Sequence, residues 1–121
     1  MGKNSHSQNT SRHILLTAAD RSFLQRVKEA VMRVLPDAEF ILFGSRACGQ
    51  ASTDSDWDIL ILTDQPVDYP LEDKVRQALL KIELETGNVL PTLIITRSDW
   101  ESPQNRETPF FQHVSRDGVA I

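Results

Sequence analysis

The stretch "LFGSRACGQASTDSDWDILIL" (Leu42–Leu62) decides how this chain is read. An apolar run, "AEFILF", halts at Gly44-Ser45, and a second apolar run begins directly after Asp56-Trp57-Asp58. Each run has the length and the β-branched or aromatic content of a short buried strand. Side chains alternate along a strand, so Asp56 and Asp58 fall on one face and Trp57 on the other. Two carboxylates held this close repel unless they share a proton or bind a cation, and a hard divalent ion is the usual resolution. Magnesium is the natural candidate, with manganese as an alternative. On the opposite strand tip, Gly44 lets backbone approach a ligand closely. Ser45 adds a hydroxyl and turn N–H groups suited to phosphate oxygens.

The rest of the chain frames this pair of tips. The 121 residues, 40% of them hydrophobic, suffice for one compact domain and not for two. Residues 1–13, "MGKNSHSQNTSRH", are polar and aperiodic and read as a disordered leader, which leaves 14–121 as the domain. His6 and His13 fall in that leader and are not metal candidates. Asp and Glu (17) outnumber Lys and Arg (13), so broad attraction to nucleic acid or an anionic membrane is not expected. Cys48 is the single cysteine, which excludes an intrachain disulfide and a cysteine-rich zinc site. With no signal peptide and no apolar run of membrane length, the chain suits the cytoplasm.

Helical spacing of Leu24, Val27, Val31, Val34 and Leu35 predicts a first helix, opened at Thr17 with Asp20 as a capping partner. Leu71, Val75, Ala78, Leu79 and Ile82 predict a second, ended by Gly87. "NVLPTLIIT" reads as a third strand near an edge, because Pro91 cannot donate to a ladder. Residues 98–107 read as a loop, "PFFQHVSRDG" as a short helix and "VAI" as a last strand. The order implies an α/β or α+β fold, a small mixed sheet with helices packed on it. Phe110 and Phe111 are too apolar to stand exposed and are expected to join the core or a partner surface.

Three other readings of the central stretch fail. A Walker A loop needs a lysine after its second glycine, and Gly49 is followed by Gln50. An EF-hand starting at Asp54 would need Gly at its sixth position and Glu at its twelfth, where Ile59 and Gln65 stand. Aspartyl-phosphate phosphatases carry D-x-D after an apolar strand, whereas here the strand follows the pair. An isolated D-x-D would read simply as solvated strand-start residues behind a turn shaped by Asp54. The upstream Gly-Ser argues against that.

Gly44-Ser45, ten intervening residues, then Asp56-Trp57-Asp58 resembles the G-S-x10-D-x-D signature of the polymerase-β-like nucleotidyltransferases, in particular their minimal single-domain bacterial kind. "GSRACG" is similar to that group's G-S-R-A-R-G, with Cys48 in place of the second arginine. The likeness runs from about Phe23 to Thr96, and "SDWDILIL" and "TPFFQHVSRDGVAI" further resemble a small bacterial subgroup. The resemblance implies magnesium on Asp56 and Asp58, NTP phosphates (ATP foremost) on Gly44 and Ser45, and transfer of a nucleotidyl group to an acceptor hydroxyl with release of pyrophosphate. Arg46 reads equally well as a phosphate contact or as a surface ion pair. Trp57 reads as core. The resemblance also implies a helical partner of the type called HEPN or self-association, and in some relatives transfer of AMP onto that partner. One departure stands out. The family's third carboxylate should fall around Pro91 to Leu93, yet no acid occurs between Glu85 and Asp99. Thr92 would be the position to restore one, provided it faces the cleft. The alternative reading is therefore a nucleotide-binding module without turnover.

Overall fold

The computed structural model describes residues 16–47 and 56–121. The expected leader, Cys48 and Asp54 lie outside the described residues. The first helix, α1 (Ala18–Met32), opens on the expected capping box: Thr17 Oγ1 accepts from the Asp20 N–H and the Asp20 carboxylate accepts from the Thr17 N–H. Its apolar stripe buries Leu24, Val27 and Val31. Strand β1 (Glu39–Phe43) pairs antiparallel with β2 (Asp58–Thr63), in register from Glu39 opposite Leu62 to Phe43 opposite Asp58. Helix α2 (Tyr69–Thr86) starts behind an Asp68 cap with proline in its first turn, and stops at Gly87 in the left-handed region, φ 76°. It carries the chain to β3 (Thr92–Thr96), which pairs parallel with β2.

The 98–107 stretch is not the plain loop its polarity suggests. It folds into two one-turn helices, α3 (Arg97–Trp100) and α4 (Pro103–Arg106), opened by the side chains of Thr96 and Ser102, which accept from the N–H groups of Asp99 and Asn105. Hydroxyl caps at each start stabilise turns that apolar periodicity cannot reveal in four residues. Then come α5 (Pro109–Asp117) and the two-residue β4 (Val119–Ala120), which pairs with β1. The result is a mixed four-stranded sheet in the order β3-β2-β1-β4. Pro91 leads into an edge strand, as its missing N–H requires.

Alternation on the sheet sorts the core into two layers. Phe40, Leu42, Ile59, Ile61 and Val119 face α1 and α2, against Leu24, Val27, Val31, Val75, Leu79 and Ile82. Leu60 and Leu62, with Ile41, Phe43 and Ile95, face the opposite way, against Trp100, Phe110, Phe111 and Val114. Phe110 and Phe111 thus complete a core, with Phe110 edge-on to Phe43 at 5.3 Å and to Trp100 at 5.9 Å between centroids. At the far end of the sheet Arg97 ion-pairs with Asp37, Glu39 and Asp64. Asp37 also accepts from the buried Thr63 hydroxyl and from the Asp64 N–H. Those two hydrogen bonds, and then Arg97, hold the Asp37 carboxyl below its ordinary range. Among the described residues no helix is long and apolar enough to cross a membrane.

Candidate active site

Gly44 follows the last residue of β1 with φ +77°, the left-handed region that glycine enters without penalty. Its conformation turns the chain sharply, and the Ala47 N–H closes the turn on the Gly44 carbonyl at 3.1 Å. A second reason for glycine lies across the sheet. A Cβ at this position would stand 2.2 Å from Asp58 Oδ2, so the carboxylate rests in the space that a side chain would fill. The Gly-Ser turn and the second aspartate therefore lie against one another, brought together by the final rung of the β1–β2 ladder, Phe43 opposite Asp58.

Asp56 precedes the strand proper, yet backbone pairing already fixes this segment. The Trp57 N–H donates to the Val89 carbonyl and the Ile59 N–H to the Pro91 carbonyl, each at 3.0 Å. These bonds prolong the parallel β2–β3 ladder past its formal ends. The sequence reading missed the two carbonyl anchors, and had no means to find them because any residue type can supply a carbonyl. Alternation then sets Asp56 and Asp58 on the face of Leu60 and Leu62, while Trp57 joins Ile59 and Ile61 on the α1–α2 face. Partial burial, and secondly the charge of Asp56, pushes the Asp58 carboxyl above its ordinary value. Its partner Asp56 is exposed. A divalent cation would relieve this like-charge pair. Two carboxylates completed by substrate phosphate oxygens match the donor set magnesium commonly takes.

Among the described residues no group of three or more His, Cys, Asp or Glu side chains is placed to hold a metal ion. The register explains the missing acid. Ile59 pairs with Thr92 and Leu60 with Leu93, so one step back Pro91 stands beside Asp58. Pro91 and Leu93 occupy the carboxylate face, and neither can ligate a metal or take a proton. Thr92 is beside Ile59 on the opposite face and lines a groove with Tyr69, Glu72 and Arg76. The expectation that an acid at Thr92 could complete the site depended on that residue facing the cleft, and it does not.

Arg46 does not simply ride on the surface. Its guanidinium carbon lies 3.8 Å from the centroid of the Trp57 ring, which is 2% exposed and also packs on Phe23 at 5.5 Å. Trp57 is core, as its place in the strand predicts. Its Nε1 is nevertheless a buried donor with no hydrogen-bond partner among the described residues. Leaving such a group unpaired costs about 1–3 kcal/mol.

A mixed sheet in which a left-handed Gly-Ser turn abuts a D-x-D strand start defines a nucleotidyltransferase-like α/β domain. The chain belongs to the nucleotidyltransferase domain family, whose model matches residues 23–114. It is also similar to the probable protein adenylyltransferase MntA of Haemophilus influenzae, 33% identical over 58 residues, or 48% of this chain and 51% of that relative. The match thus spans about half the length of the curated relative.

Proposed function

We propose that this protein transfers a nucleoside monophosphate, foremost AMP from ATP, to an acceptor hydroxyl, with pyrophosphate as the leaving group. The observation that carries the reading is the packing of the Asp58 carboxylate into the space left by the Gly44 side chain, within a chain of the nucleotidyltransferase domain family. Likeness to a probable protein adenylyltransferase favours AMP and a protein acceptor.

The turn at Gly44 and Ser45 offers backbone N–H groups and a hydroxyl to the β- and γ-phosphates, and Arg46 adds a cation at the same turn. Asp56 and Asp58 would hold magnesium, or manganese, which when bound neutralises phosphate charge and orients the leaving group. The acceptor oxygen attacks the α-phosphorus as the bond to the β-phosphate oxygen breaks. Held in line, the reactants gain chiefly from orientation and charge stabilisation. The acceptor proton passes to another group or to the substrate, and a partner such as a HEPN-type helical protein or a second copy of the chain could supply that group.

Calorimetry tests the site. Magnesium-dependent ATP binding is expected in the wild type and strong loss in Asp56→Asn/Asp58→Asn; equal binding by both proteins overturns the assignment.

Pro91 and Leu93 on the carboxylate face favour a second reading, a nucleotide-binding module that acts through a partner without turnover. Loss of a general base costs about 10²–10⁴-fold in rate, while metal and phosphate binding survive it. Labelled-ATP incubation with a cell extract separates the two. Rapid pyrophosphate release by the isolated wild type, abolished in Asp58→Asn, would sink the second reading.

A further inference from the structure

The Arg46–Trp57 stack is more than packing. Trp57 sits at a strand position facing α1 and α2, where its neighbours Ile59 and Ile61 are aliphatic. An aliphatic residue would fill that position with no polar atom to bury, whereas the indole brings into the core an Nε1 that has no hydrogen-bond partner among the described residues. What tryptophan offers in exchange is its π face, the strongest cation–π surface among the aromatic side chains, and the Arg46 guanidinium lies 3.8 Å from its centroid. The two residues immediately flanking Trp57 are the aspartates, and they project to the other face of the strand. Stacking therefore sets the Arg46 guanidinium against the ring of Trp57, whose side chain lies on the face opposite Asp56 and Asp58. An arginine drawn onto those carboxylates would neutralise the pair that is to take a metal and would withdraw its own charge from the phosphates.

We propose that Trp57 is a positioning residue for nucleotide binding: its ring holds Arg46 beside the Gly44-Ser45 turn and keeps the guanidinium apart from the Asp56–Asp58 pair. The inference rests on the reading of that turn as a phosphate site. Trp57 makes no contact with substrate in this role and acts only through Arg46.

The test is a double-mutant cycle on the full chain, read as magnesium-ATP affinity by calorimetry: wild type, Trp57→Leu, Arg46→Gln and the double variant, with Asp56→Asn/Asp58→Asn alongside. A cation–π contact predicts about three- to twenty-fold weaker binding in each single variant, and no further loss when Trp57→Leu is added to Arg46→Gln. Merely structural damage at Trp57 would weaken binding by the same factor in either background, and that additivity overturns the inference while leaving the site intact. Unchanged ATP affinity in Asp56→Asn/Asp58→Asn overturns the site reading itself, and the inference with it. Should Trp57→Leu fail to fold, Trp57→Phe takes its place in the cycle. It keeps most of the apolar volume with a weaker π face, and the same non-additivity with a smaller factor is expected.

Discussion

Gly44 carries two constraints at once, a left-handed backbone and an absent Cβ. Gly44→Ala is expected to cost about 1–2 kcal/mol for its backbone alone, and more as the methyl drives the Asp58 carboxylate out of place. Its melting temperature should fall by several degrees and magnesium-dependent ATP binding should fail. Unaltered binding would show that Asp58 does not depend on the turn. The raised Asp58 carboxyl gives a prediction with a definite sign. Its folded pKa exceeds its unfolded one, so native protein keeps that proton longer. The stability linked to it is complete below the unfolded value and declines as pH rises through the folded one. Asp58→Asn, free of this decline, should melt above the wild type at pH 7 in metal-free buffer, with the advantage vanishing toward the bottom of the carboxylate range. An advantage that grows on acidification would contradict the assignment. Asp37, with a lowered carboxyl, contributes the other way: its stabilisation is present above its unfolded value and is lost as pH falls through the folded one.

At the level of elements, what could be read in the sequence follows local rules. Thr17 with Asp20, and Gly87, are punctuation written in neighbouring residues, and helices α1 and α2 obey it. The adjacency of Gly44 and Asp58 is legible for a similar reason, since it needs only two neighbouring strand tips. What stays hidden depends on register between distant strands. The side on which Thr92 falls is fixed by its rung with Ile59, and a one-residue slip would reverse it. The register places Pro91, in the stretch where the family resemblance implies an acid, beside Asp58. Pro91→Asp is exposed, restores an N–H directed at the Trp57 carbonyl, and sets a carboxylate beside Asp58. It should raise the rate of pyrophosphate release over wild type, and Thr92→Asp should not. A gain from Thr92→Asp alone would mean that β3 is shifted by one residue.

For the molecule as a whole, the C-terminal segment forms the second face of the sheet. Trp100, Phe110, Phe111 and Val114 cover Leu60 and Leu62, the same strand face that carries the aspartates at its start. Truncation before Thr108 removes α5 and β4, and uncovers these leucines. The truncated chain should melt lower than the wild type. Unchanged melting with an altered oligomer size would instead make Phe110 and Phe111 an interface. The sequence leads one to expect Phe110 and Phe111 in a core or a partner surface, but its periodicity cannot assign Trp100 to this layer, because α3 is a single turn and Trp100 stands among polar residues.

Strand β2 joins Asp58 at one end to Thr63 and the Arg97 cluster at the other. Its five residue steps span about 17 Å, roughly twice the distance over which charges feel one another at physiological ionic strength. Energetically, the two ends are therefore separate compartments on one rod. Stability changes from Asp58→Asn and Arg97→Ala should sum to that of the double variant within about 0.3–0.5 kcal/mol. Substitutions accumulating around the aspartates can then alter their chemistry while the fastening at Arg97 keeps its full strength.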